Sequence, residues 1–80
     1  MDKELIESEL GQSVTRDGTS VEIHIYRLED DEAWTLEVVD ETGASSVWDG
    51  TYLTEQAALD EALRVINEEG IRTFLKPGMH

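Results

Sequence analysis

His24 is the one internal histidine of an 80-residue chain that lacks cysteine and carries 19 Asp and Glu against 6 Lys and Arg. On an exposed strand an imidazole serves as a general base or a metal ligand, but either role needs partners at defined positions. No serine or second histidine stands in a recognisable relation to it, and the other histidine, His80, ends the sequence. The carboxylates are equally uncommitted. Glu29-Asp30-Asp31-Glu32 has neither the alternating ligands nor the central glycine of a calcium loop, and Asp40 to Gly43 and Asp49-Gly50 fail the same test. No Gly-rich phosphate loop or nucleophile elbow is present. These residues assign no catalytic group, no metal site and no cofactor, and an enzyme with a site near His24 is the least favoured functional reading.

The formal net charge of -13 says more about partners than about chemistry. Such a field repels nucleic-acid phosphate and anionic membrane and attracts basic proteins. It suits either a charged partner or a high-salt cytoplasm. With 39% hydrophobic residues the chain still has the means to fold. At this length a single domain, 1–80, buries only about 60% of its unfolded surface, which leaves little room for a deep cleft. Met1 to Glu7 has no basic flank or apolar run of a signal peptide, and no stretch approaches the roughly 18 apolar residues of a membrane span. The expected location is cytoplasmic.

The elements that position these groups are legible from turns and periodicity. Asp17-Gly18 is a type I′ turn signal between Gln12–Arg16 and Thr19–Leu28. Pairing Arg16 with Thr19 sets Val14 opposite Val21 and carries that face through Ile23 and Ile25, with Glu22, His24 and Tyr26 on the other. The acidic run 29–32 leads to a strand in which Trp34, Leu36 and Val38 share a face. A two-residue loop at Thr42-Gly43 would place Asp49 under Leu36, burying an unpaired carboxylate at a cost of several kcal/mol. A three-residue loop of Glu41, Thr42 and Gly43, with Gly43 left-handed, instead pairs Leu36 with Trp48 and Trp34 with Gly50, so that the glycine makes room for the indole. Trp34, Trp48 and Tyr52 then read as core rather than as a platform for stacking bases or sugars.

Thr54 is an N-cap for a helix over 54–69 whose stripe is Leu59, Ala62, Leu63 and Ile66, with Ala58 at its margin. Asp60 and Arg64 form an i,i+4 pair, and Gly70 is the stop. Leu5, Ile6 and Leu10 before Gly11 predict a short N-terminal helix within 1–11. Ile71 to Leu75 predicts a short extended segment, followed by a flexible tail over 76–80. The fold class is α+β: a small antiparallel sheet of three to four strands within 12–53, packed on one main C-terminal helix.

The order helix, three main strands, helix resembles the double-stranded RNA-binding domain. That family sets basic residues at the start of its last helix, where this chain has Thr54, Glu55, Gln56 and Ala57, so RNA binding is disfavoured. A strand hairpin, a tryptophan, a turn and then Thr54-Glu55-Gln56-Ala57-Ala58-Leu59-Asp60-Glu61-Ala62-Leu63 also looks like short stand-alone bacterial proteins of unknown function. That likeness implies a compact sheet-plus-helix fold and transfers no active site.

One helix covers one face of a sheet. The expected function is therefore a non-enzymatic protein-interaction module that binds through the open face, by His24, Tyr26, Val39 and Val47 among Glu22, Glu37 and Asp49. Its partner is a protein, basic or a second copy of the chain, and neither nucleic acid nor membrane. In the bland reading, the N-terminal segment lays Leu5, Ile6 and Leu10 over that patch and nothing binds there. An acidic mimic of nucleic acid, inhibiting a DNA- or RNA-binding protein, is the main alternative; it requires aligned carboxylate rows.

Overall fold

A computed structural model describes residues 4–70, so the segment expected at 71–75 and the tail at 76–80 lie outside the described residues. The chain forms β1 (Leu5–Glu7), β2 (Gln12–Arg16), β3 (Thr19–Leu28), β4 (Thr35–Asp40), β5 (Ser45–Val47) and α1 (Glu55–Glu69). All pairings are antiparallel, in the order β1-β3-β4-β5, with β2 also on β3.

The first hairpin has the register set by its turn: Arg16 faces Thr19 and Val14 faces Val21. Asp17 and Gly18 both have positive φ, 54° and 76°, as a type I′ turn requires. In the second hairpin Gly43 has φ 93°, Asp40 N–H donates to the Ala44 carbonyl, and Val38 faces Ser46. That is the three-residue loop. Asp40 organises it, because one carboxylate oxygen accepts from the Thr42 amide (2.8 Å), the Thr42 hydroxyl (2.6 Å) and the Ala44 amide (3.1 Å). These bonds, led by the Thr42 hydroxyl, hold the Asp40 carboxyl below the ordinary carboxylate value.

The N-terminal segment is not a helix. Leu5, Ile6 and Glu7 pair with Leu28, Arg27 and Tyr26. A helix of two turns is marginal in water, whereas β3 has ten residues and β2 pairs only with its first half, Thr19–Ile23. The uncovered half of that edge needs hydrogen-bond partners, and β1 supplies them. Between β1 and β2 the chain steps out over residues 9–11. Ser8 closes the step by accepting from the Leu10 amide and donating its hydroxyl to Glu55 at the start of α1, while the Ser8 amide donates to the Ile25 carbonyl. The likeness in element order to the double-stranded RNA-binding domain lapses with the missing helix.

Beyond Val47 the second hairpin also departs from expectation. The Trp48 amide still donates to the Leu36 carbonyl, but Trp34 then exchanges both backbone bonds with Tyr52 and not with Gly50. The strand ends at Val47, short of the expected pairing at Gly50, and Asp49, Gly50 and Thr51 are exposed where the chain bends before Tyr52 rejoins. A Cβ on Gly50 would meet nothing within 4 Å, so that glycine makes no room for an indole.

The core lies between one sheet face and α1: Val14, Val21, Ile23, Ile25, Trp34, Leu36 and Val38 against Ala58, Leu59, Ala62, Val65 and Ile66. Trp48, Tyr52 and Leu63 are only partly buried against it. Ala58 is fully buried, not marginal, and Val65 displaces Leu63 from the central stripe. A helix lying close on a sheet favours small residues where backbones approach, which is where Ala58 and Ala62 sit. Thr54 caps α1 by accepting from the Ala57 amide at 3.0 Å, and Gly70 ends it with φ 91°. Arg64 does not pair with Asp60. It clamps Glu61 with two bonds (3.0 and 2.7 Å) and reaches Glu68, while Asp60 accepts from Gln56. Arg27 stacks 5.0 Å over Trp34 and donates to the carbonyls of Leu28, Glu29 and Asp31, tying down the acidic turn.

Candidate binding face

Alternation along β3 sends Ile23 and Ile25 under the helix and Glu22, His24, Tyr26 and Leu28 to the other side. The register extends that second face laterally. His24 faces Glu37, Glu22 faces Val39, and Val47 faces Glu37 from β5. On the other flank Glu7 faces Tyr26 and Leu5 faces Leu28. The four residues singled out in the sequence therefore share one face, but they do not form one cluster. His24, Tyr26 and Val39 line an open depression of about 460 Å³ together with Leu5, Glu7 and Glu37. Val47 lies one strand further out, 51% exposed, and Asp49 is beyond the end of β5.

Leu5, Glu7 and Leu28 are the members that sequence reasoning missed. Reading the segment before Gly11 as a short helix removes Leu5 and Glu7 from any sheet face, although the five residues of β3 that β2 leaves unpaired signal that a further strand is needed. The bland expectation of an N-terminal cover also fails among the described residues. β1 lies in the plane of the sheet, and Ile6 and Leu10 pack towards the core. Leu5 joins the open face instead, 54% exposed.

Electrostatically the face is acidic with an aromatic centre. Burial raises the Tyr26 phenol above its ordinary value, and the Glu37 carboxylate, to which it is hydrogen-bonded, raises it further. The phenol is thus a neutral donor throughout the physiological range. His24 Nε2 lies 3.3 Å from Glu22 Oε1, with both side chains well exposed. Among the described residues no Lys or Arg pairs with Glu7, Glu22 or Glu37; the ion pairs formed by arginine are on α1. A smaller hollow of about 250 Å³ at the step between β1 and β2 shares Glu7 and His24 with the main depression.

The arrangement has the parts of a contact surface: apolar and aromatic groups, a neutral phenol and, among the described residues, carboxylates that no Lys or Arg neutralises. Among the described residues no three His, Asp or Glu converge on a point that would hold a metal ion. No described helix is long and apolar enough to cross a membrane. The fold and face together define a small α+β domain in which no described residue covers the sheet face opposite α1. Compared with known protein families, curated proteins and solved structures, the chain has no significant match in any of the three.

Proposed function

We propose that the chain is a non-enzymatic protein-interaction module that binds a basic partner through the sheet face opposite α1. The observation that carries this reading is the depression around Tyr26, which no described residue covers and where apolar Leu5 and Val39 alternate with Glu7 and Glu37. Contact surfaces combine aromatic and apolar centres with polar rims in this way, and the carboxylates select for positive charge. The acidic-mimic reading asks for rows of carboxylates; on this face they are interrupted by Tyr26, Val39 and Val47, which favours the interaction module. A cytoplasmic location, expected from the cysteine-free composition, belongs to the same proposal.

The test is affinity capture from a native lysate, at low and physiological salt, with wild-type bait and two sets of variants. Tyr26→Ala and Val47→Asp should each lose the captured partner while the bait stays folded, since neither side chain belongs to the core. Charge reversal over Glu29 to Glu32 should mainly slow association and change its salt dependence. The reverse ranking, with the acidic turn decisive and Val47→Asp silent, would establish the mimic instead.

A further inference from the structure

Resting on that reading of the open face, we infer that the depression around Tyr26 is a pocket for one cationic side chain, Lys or Arg, of an extended basic segment. Glu7 flanks β3 on one side and Glu37 on the other, and both line the depression with Tyr26 between them. Strand spacing puts the Cβ atoms of Glu7 and Glu37 roughly 12 Å apart along the diagonal. Two glutamate side chains reaching inward leave a gap that an ammonium or guanidinium group fills. Leu5 and Val39 offer the apolar wall along which the methylene stem of such a residue lies, and the Tyr26 ring supplies a π face for the cation.

The charge balance favours another protein over a second copy as the source of the occupant. The arginines of the described residues are Arg16, Arg27 and Arg64. Arg27 is held by Trp34 and three carbonyls, and Arg64 is clamped by Glu61 and Glu68, which leaves exposed Arg16 at the first hairpin as the described arginine without an ion pair or a ring contact. Two copies would meet with like-charged faces, each belonging to a chain of net charge -13. A basic segment instead brings to Glu7 and Glu37 a counter-ion that no described residue supplies, and at partly buried Glu37 the attraction is stronger than in open solvent.

The experiment titrates the uniformly 15N-labelled chain with a capped peptide of alternating valine and arginine, and with the same peptide carrying neutral, isosteric citrulline. The arginine peptide should give saturable shifts centred on Leu5, Glu7, His24, Tyr26 and Val39, with the citrulline peptide at least about tenfold weaker. A Glu7→Gln, Glu37→Gln double variant should lose about tenfold or more in affinity for the arginine peptide, whereas Glu69→Gln, at the far end of α1, should bind as wild type. Equal binding of both peptides on this face would overturn the cation assignment and leave the interaction face standing. Shifts spread over α1 and the acidic turn, weakened equally by Glu69→Gln, would overturn the pocket and the face together. Absence of any saturable shift at affinities tighter than about 1 mM would overturn the pocket.

Discussion

Gly11 is where the open face and the core depend on the same atom. Its position, by sequence, is that of a helix stop; in the fold it lies at the step between β1 and β2, against the central strand. A Cβ placed on Gly11 would stand 2.9 Å from the carbonyl oxygen of Ile23 and 3.5 Å from that of Ser8. Ordinary C···O approach in sheets is about 3.3–3.6 Å, so Gly11→Ala forces a displacement of roughly 0.5 Å. Ile23 cannot supply it, because it pairs with Gln12 on one side and Val38 on the other and is almost wholly buried. The step must therefore move, loosening the Ser8 bonds and the placement of Glu7. The expected cost is about 1–3 kcal/mol, the range for overpacking a close-packed site. The assay is urea unfolding, with Gly50→Ala as the control. Gly50 has open space around its Cβ position and no positive φ, so alanine there should be neutral or stabilising by up to about 1 kcal/mol through the unfolded chain. A Gly11→Ala protein as stable as wild type would refute the close approach, and a large loss from Gly50→Ala would restore the pairing of Gly50 with Trp34.

The two tryptophans should separate. Trp34→Ala empties a core position and should cost about 3–5 kcal/mol in thermal or urea unfolding, whereas half-buried Trp48→Ala should cost about 1–3 kcal/mol; iodide should quench Trp48 fluorescence well before Trp34. Asp40→Asn keeps an oxygen for the three loop donors and removes only the charge, so it should lower Tm at pH 7. Because the folded carboxyl lies below its ordinary value, that contribution is complete above the unfolded value of about 3.9 and disappears as pH falls through the folded one. The gap between the two proteins should accordingly close below about pH 4, and a gap independent of pH would assign the effect to geometry. Finally, with a net charge of -13, Tm should rise with added salt most steeply at low ionic strength and then level off as screening saturates. An unchanged Tm between low and physiological salt would show that local pairing already offsets the repulsion.

Sequence alone determined the features that depend on neighbours in the chain. Asp17-Gly18 sets the first register because a type I′ turn demands two positive φ values in succession, and burial of a carboxylate excludes the wrong loop at Gly43. Thr54, Gly70 and the apolar stripe bound α1 for equally local reasons. From these turns, alternation alone places His24, Tyr26, Val39 and Val47 on one face. The loop bonds of Asp40 were also within reach, since an Asp side chain at a turn accepts from the backbone amide two residues on, here that of Thr42.

Tertiary structure decided what depends on unsatisfied groups far away in sequence. Leu5 to Glu7 has apolar spacing that suits a helix, and it becomes a strand because half of the β3 edge offers backbone partners. The helix spacing of Leu63 and Val65 leaves both near the stripe, and packing against the sheet buries Val65 while Leu63 stays partly exposed. Trp34 pairs with Tyr52 because the exposed bend at Asp49-Gly50-Thr51 costs nothing in the core and lets an aromatic ring cover the sheet end. The depression around Tyr26 belongs to this second class, since it needs Glu7 and Leu5 from a strand whose existence only the open edge of β3 explains.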